Sequence, residues 1–191
     1  MSHCQPQHRY ILPPAFRDLV LLDMMELGGS TVAAAKLLNL SQPTVSRRFR
    51  AVCKDLQLHG DMRRPPGVRI QPTPCLRLFR KGICHHRWDS GVLRLGFSTI
   101  TPPVLNHAVG VEWIQLRQPG LAQWPLLLRS ELLDGIVTTA DMLSGHDLTW
   151  AMDPLVGPED DEQLLISRWH PKVRGLISAL LSGSGRNSCP N

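Results

Sequence analysis

The sequence has no long apolar run. Asp23, Glu26 and Arg129 interrupt its greasiest stretches, which excludes a helix of the roughly 20 apolar residues that crossing a bilayer requires. The opening ten residues, MSHCQPQHRY, lack the apolar centre of a secretory signal, so the expected location is the cytoplasm, with no membrane partner. Cysteine is sparse, odd in number and scattered. Cys4, Cys53, Cys75, Cys84 and Cys189 suit reduced thiols better than a disulfide scaffold. Signatures of catalysis are missing too: there is no phosphate-cradling Gly-Lys loop, no HExxH, no nucleophile elbow and no Cys-x-x-Cys pair. The chain is therefore read as a non-enzyme without a cofactor. Cys84-His85-His86 carries metal-ligating side chains, but neighbours on a helix point in different directions, so no metal site is assigned.

What is present is an ordinary hydrophobic content of 42% over 191 residues, enough for one or two domains with a real core. The charge is divided unevenly. Residues 1–90 hold 14 basic and 6 acidic residues, a net +8, whereas residues 91–191 hold 7 and 10, a net −3. That asymmetry suits a protein whose first half meets a polyanion while the second does something else.

The stretch Leu40–Leu56, LSQPTVSRRFRAVCKDL, falls in the basic half. Ser41 suits an N-cap and Pro43 the first turn of a helix, where a missing N–H costs little. On a helical wheel Val45, Phe49, Val52 and Leu56 share one face, while Pro43, Arg47, Arg50 and Lys54 lie opposite, with Thr44 and Ser46 at the edges. Such a helix packs inward and offers guanidinium groups to a phosphate-lined groove. Gln42 at its start has the amide that bonds adenine in bidentate fashion, and Arg47 and Arg50 suit either guanine or phosphate.

Upstream, residues 1–13 read as a loose arm. A helical pattern begins at Pro14, with Phe16, Leu19, Leu22 and Met25 on one side, and Gly28-Gly29 stops it. Ser30 then caps a second helix, Thr31–Asn39, whose Ala34, Ala35 and Leu38 face inward and allow a close helix crossing. Downstream, two short extended pieces, Gln57–Met62 and Val68–Gln71, flank RRPPG and predict a β-wing that presents Arg63, Arg64 and Arg69 to phosphates or the minor groove.

Residues 16–73 resemble the winged helix-turn-helix of LysR-type transcriptional regulators. The resemblance lies in GGSTVAAAKLLNLSQPTVSRRFRAV and in the later GVRIQPTP. It implies that Gln42, Pro43, Ser46 and Arg47 face bases and backbone of double-stranded DNA. Thr31 stands where the family usually has Phe, Val32 replaces a hydroxyl residue, and Leu58-His59-Gly60-Asp61 replaces the family's Leu-Phe-Glu-Arg element. Thr73-Pro74 caps a further helix, with Leu76, Phe79 and Ile83 on one side. In the family this linker helix pairs two subunits, which implies a homodimer.

From Gly91 the pattern changes to VLRLGF, TPPVLNHAV, VEWIQL, AQWPLLLRSELL, GIVTT, LTWAM, EQLLIS and PKVRGLISALL, the alternation of a parallel or mixed α/β sheet. GVLRLGFST, ELLDGIVTT and HPKVRGLISALL resemble parts of one subdomain of the LysR-type effector domain, and the second subdomain is missing. One lobe offers only half of the pocket that holds a small-molecule effector in the family. Ser98, Thr99 and Thr101, in the first strand–helix turn, are the candidate ligand contacts.

The expected fold is thus α plus α/β: an N-terminal winged helix-turn-helix (14–73), a short linker helix (74–90) and a small C-terminal α/β lobe (91–182) resembling half of a periplasmic-binding-protein-like effector domain. Residues 183–191 are Gly/Ser-rich and read as a disordered tail. The expected function is a DNA-binding regulator that reads the major groove through residues 41–54. The alternative is an interaction protein that binds DNA weakly or not at all and pairs with a full-length relative, or a degenerate regulator. A half-domain that binds an organic acid is a third reading.

Overall fold

A computed structural model describes residues 11–98, 110–116, 123–139, 150–156 and 162–184. Among these residues the chain forms six α-helices and one five-stranded mixed sheet. The helices are α1 (Arg17–Gly28), α2 (Thr31–Leu38), α3 (Gln42–Asp55), α4 (Pro74–Asp89), α5 (Trp124–Arg129) and α6 (Pro171–Ser184). The strands are β1 (Leu93–Ser98), β2 (Val111–Leu116), β3 (Gly135–Thr139), β4 (Ala151–Val156) and β5 (Glu162–Ser167).

Local chemistry sets the helix ends. Ser30 Oγ accepts from the Ala33 N–H at 3.1 Å, and Thr73 Oγ1 accepts from the Leu76 N–H at 3.1 Å, each satisfying a first-turn donor that has no partner within its helix. α1 stops at Gly29, whose φ of +69° turns its N–H back to the Met25 carbonyl. α2 stops at Asn39, also left-handed, with φ 52°.

The sheet order is β2-β1-β3-β5-β4. β1 pairs in parallel with β2 and β3, whereas β5 runs antiparallel to both β3 and β4. Pro154, opposite Leu164, is tolerated because β4 is the edge strand. The expected strand runs VEWIQL, GIVTT and EQLLIS coincide with β2, β3 and β5. The expected run at AQWPLLLRSELL contracts to α5 alone, since Glu131 adopts φ 64° just beyond it. The run TPPVLNHAV lies outside the described residues.

Strand alternation sends side chains to two faces. On one face Ile114, Leu116, Ile136 and Ile166 join α5 and the helical half through Leu21, Met24 and Met25. On the other, Leu93, Leu95, Val137 and Leu165 meet Val173 and Ile177 of α6 and Cys84 and Trp88 of α4. Gly96 is required where layers meet closely, because a Cβ there would stand 2.8 Å from Leu133 and 2.9 Å from Leu116. Packing is continuous across residues 73 and 90, the two expected domain boundaries.

That continuity changes the expected roles of two helices. The expected apolar side of α1 was a single stripe, but every residue from Val20 to Leu27 is buried, because α1 is enclosed by α2 and α3 on one side and by the lobe on the other. α4 likewise faces inward with Leu76 and Ile83, but Phe79, expected beside them, is 39% exposed. Arg80 takes the inward position instead.

Arg80 turns inward because Asp23 of α1 awaits it, with Nε donating to Oδ1 at 2.8 Å. The other Asp23 oxygen lies 3.4 Å from Arg94 Nη1 on β1, and Arg94 Nε donates to Glu112 on β2 at 2.8 Å. Asp134, before β3, accepts from Arg87 Nη2 at 2.7 Å, from Trp88 Nε1 at 3.0 Å and from the Arg94 backbone N–H at 2.7 Å. Burial opposes ionisation of Arg87 and Arg94, but the facing carboxylates outweigh it and hold both guanidiniums charged. Burial would also raise the Glu112 carboxyl, yet Arg94 and Arg87 hold it below its ordinary value.

Replacing Asp134 with Ala leaves Arg87 buried without its carboxylate and strips two further donors. Unfolding in urea should report a loss of about 3–5 kcal/mol, and a change under about 0.5 kcal/mol would contradict this account. Cys84 supplies a check on packing. Burial pushes its thiol up to about 11, while Cys75 is exposed. Iodoacetamide at neutral pH should therefore alkylate Cys75 in the native chain and reach Cys84 only after denaturation, as read by peptide mass spectrometry.

Candidate nucleic-acid interface

α3 begins where the sequence expects, with Ser41 as N-cap: its Oγ accepts from the Thr44 N–H at 3.4 Å and lies 2.8 Å from Thr44 Oγ1. Pro43 occupies the first turn. Val45 and Val52 are buried and Phe49 and Leu56 half-buried, so the apolar face is the packed one. Ser41, Gln42, Pro43, Arg47, Arg50 and Lys54 are exposed, and Thr44 and Ser46 are half-buried at the edges. The lobe does not cover the arginines.

The arginines of α3 divide by function. Arg48 turns toward α1, where Nε and Nη2 meet Asp18 Oδ1 at 2.7 and 2.6 Å, a surface pair that links α3 to the first turn of α1. No salt bridge engages Arg47, Arg50 or Lys54 among the described residues. Three neighbouring cations on one exposed face, none neutralised by a described carboxylate, form a surface that favours an anionic partner.

Gln42 Nε2 donates to Thr31 Oγ1 at 2.9 Å, which ties the start of α3 to the start of α2. The amide nitrogen carries two hydrogens, so one N–H and the carbonyl are left unengaged by this bond. Thr31, a departure from the family pattern, is thus the residue that orients Gln42. Val32, the neighbouring departure, is 56% exposed.

The segment after α3 is less regular than the expected pair of strands. Its pairing is one antiparallel bridge, Gly60 to Ile70, flanked by the Asp61 N–H to Arg69 carbonyl bond at 2.8 Å and the Gln71 N–H to His59 carbonyl bond at 2.9 Å. Arg63 and Arg64 are exposed near its turn. Arg63 is matched locally, donating through Nε to Asp61 Oδ1 at 3.0 Å, and this hydrogen bond holds the Asp61 carboxyl below its ordinary value.

Arg69 departs from the expected outward reach. Its Nη1 donates to the carbonyls of Glu26 and Leu27, the last turn of α1, and its Nε donates to the Arg64 carbonyl at 2.9 Å. A side-chain cap of this kind satisfies helix-end carbonyls that have no partner within the helix. Gly29 makes room for it, since a Cβ there would stand 2.7 Å from the guanidinium carbon. Glu26 completes the joint by accepting the Arg69 and Ile70 backbone N–H groups at 2.7 Å each; burial raises its carboxyl, and those bonds oppose the rise. Arg69 is therefore a structural residue.

Of the candidate ligand contacts, Thr99 and Thr101 lie outside the described residues. Ser98 ends β1 in register with Leu116, and nothing further is assigned to it. Among the described residues no group of three or more His, Cys, Asp or Glu is placed to hold a metal ion, and no helix is long and apolar enough to cross a membrane.

No family model matches the chain, and no curated protein matches it either. The solved structures that it matches are LysR-type transcriptional regulators. Full-length OxyR from Pseudomonas aeruginosa is 16% identical with a TM-score of 0.34, the match covering 72% of this chain and 53% of that one. ArgP from Mycobacterium tuberculosis is 20% identical with a TM-score of 0.33, covering 76% and 53%. CrgA from Neisseria meningitidis, a LysR-type transcriptional regulator, is 14% identical with a TM-score of 0.31, covering 73% and 52%. The chain spans about half the length of these proteins.

The two arginines near the turn separate structural from surface roles. Arg69→Ala should lower stability in urea by about 1–3 kcal/mol, because it removes hydrogen bonds to Glu26, Leu27 and Arg64, the first two part-buried, whereas Arg64→Ala should change it by less than about 0.5 kcal/mol. Equal effects would contradict the assignment of Arg69.

Proposed function

We propose that this chain is a DNA-binding transcription regulator that lays α3 into the major groove of double-stranded DNA. The observation that carries the reading is the division within α3: the packed face is apolar, Arg48 is bound to Asp18, and Arg47, Arg50 and Lys54 face solvent without a described ion pair. In this reading the winged helix-turn-helix comprises α1 to α3 and the segment that follows. Gln42, Thr44, Ser46 and Arg47 discriminate among base edges, while Arg50, Lys54, Arg63 and Arg64 neutralise phosphates and make affinity salt-dependent. Ser41 and Pro43 set the helix start at the backbone. A dimer presenting two such helices would read two half-sites about one helical turn apart.

A second reading is favoured by the outer side of α4. Leu78 is 72% exposed and Phe79 39%, an apolar pair facing away from the core. It suits pairing with another chain, either a second copy or a full-length relative whose DNA binding it would block.

Mobility shift with genomic fragments selected by the protein tests the DNA reading. The Arg47→Ala/Arg50→Ala double variant should bind at least about tenfold more weakly, and where both residues meet phosphate the slope of log K against log salt should fall in magnitude by about 1.8. An unchanged affinity would sink the DNA reading. The second reading expects a paired species that leaves the fragments unshifted, and light scattering should show Leu78→Glu converting that species to a monomer.

A further inference from the structure

α4 and the start of α6 meet through a stack of rings. The His170 ring lies against Trp88 of α4, with centroids 4.4 Å apart and planes at 34°. His85, one turn earlier on α4, stands edge-on to both, 4.9 Å from Trp88 and 5.5 Å from His170. Trp88 is itself fixed, since its Nε1 donates to the buried Asp134 at 3.0 Å. His170 immediately precedes α6, and its carbonyl accepts the Arg174 N–H at 2.9 Å, so it opens the first turn of that helix. The joint therefore rests on a side chain that changes charge near neutral pH.

The groups that face His170 are mostly positive. Arg168 stands over the Trp88 ring, 5.6 Å from its centroid, and is bound to Glu131. Lys172, in the first turn of α6, pairs with Asp89 of α4, and Arg174 pairs with Asp153 of β4. Each of these three carboxylates is thus already engaged by another cation. The N-terminal end of α6 adds the partial positive charge of its first N–H groups. His170 Nδ1, moreover, is shut off from water and has no hydrogen-bond partner. A neutral ring tolerates this with its proton on Nε2, whereas a protonated ring would carry a buried donor at Nδ1 with no acceptor. Attraction to the Trp88 face would favour a charged imidazole, but Arg168 already shares that ring. Burial accordingly lowers the His170 pKa below the ordinary imidazole value, and His85, Arg168 and Lys172 lower it further, against Glu131.

We infer that His170 is an acid-sensitive latch between α4 and α6: neutral, it packs on Trp88 and holds the start of α6 down; protonated, it leaves for water, and the first turns of α6 lift from α4. The open state binds the proton more readily than the packed one. Docking is therefore at full strength above about pH 6.5, the ordinary imidazole value, and weakens as pH falls below it. Val173 and Ile177 of α6 belong to a different hydrophobic cluster from α1, α2 and α3, so the opening stays local.

The test is amide hydrogen exchange of the full chain at about pH 7.5 and about pH 5.5, each rate divided by the intrinsic rate at that pH. Over this interval one imidazole released from a lowered pKa changes the open population by at most about tenfold. Amides in the first two turns of α6, Arg174 among them, should thus exchange about three- to tenfold faster at the lower pH, while those of α3 do not respond. His170→Phe keeps a ring against Trp88 that cannot ionise, and His170→Gln keeps a polar side chain of fixed charge. Each should abolish the response, and either one, if folded, decides the matter. A wild-type chain with no response, a response retained in His170→Phe or His170→Gln, or an equal response in α3 would each overturn the proposal.

Discussion

The ion pairs of Asp23 and Asp134 hold the rest of the molecule in register. Asp23 belongs to the helical half, Arg80 and Arg87 to α4, Arg94 and Glu112 to neighbouring strands, and Asp134 to the approach to a third. Each charge is expensive to bury alone, and each is tolerable because its partner arrives from a different segment. An apolar contact at the same place would be as stable or more so, but it would not specify which segments meet. The network therefore fixes how α4 sits between the two halves, and the continuous hydrophobic core consolidates that choice.

The same constraint shapes the exposed face of α3. α1 is enclosed on both sides, so the helix that α3 packs against cannot shift without disturbing the lobe. Burial of Val45 and Val52 fixes the rotation of α3 about its axis, with the Arg48–Asp18 pair beside it, and that rotation leaves Arg47 and Arg50 facing outward. The segment after α3 is anchored twice, by Arg69 and Glu26 at the end of α1 and by the close approach of Gly67 to Leu126 on α5. Its exposed turn thus stands on a base shared by the helical half and the lobe.

Much of this was legible in the sequence, and the exceptions share a cause. Ser30, Ser41 and Thr73 act as caps because capping depends on a few adjacent residues, and β2, β3 and β5 appear as read because their apolar runs are bounded by clear breaks. Arg64 and Arg69 look alike in sequence, and only the arrival of the α1 terminus, over 40 residues earlier, distinguishes them. Phe79 outranks Arg80 as a core residue on hydrophobicity alone, but a buried carboxylate 57 residues away reverses the order. Asp23 and Glu26 interrupt an apolar run when read along the chain, although in the fold both are joints. Sequence periodicity reports which residues are greasy, and it carries no trace of a polar partner from a distant segment.

Charge counting shows the same limit and a way past it. The net +8 of residues 1–90 already cancels Arg48 against Asp18 and Arg80 against Asp23, and among the buried arginines only Arg87, paired with Asp134 of the second half, lowers it further. What is left over is not spread evenly. Arg47, Arg50 and Lys54 gather on α3, and Arg77 and Lys81, one helical turn apart, gather on α4 beside a groove walled by Val68, Pro74, Leu78 and Leu126. Two positive surfaces of different shape result: one convex and polar, the other concave and largely apolar. A convex cationic helix and a concave, largely apolar groove thus hold the remaining charge in two different settings, the second shared with Leu126 and Arg129 of the other half.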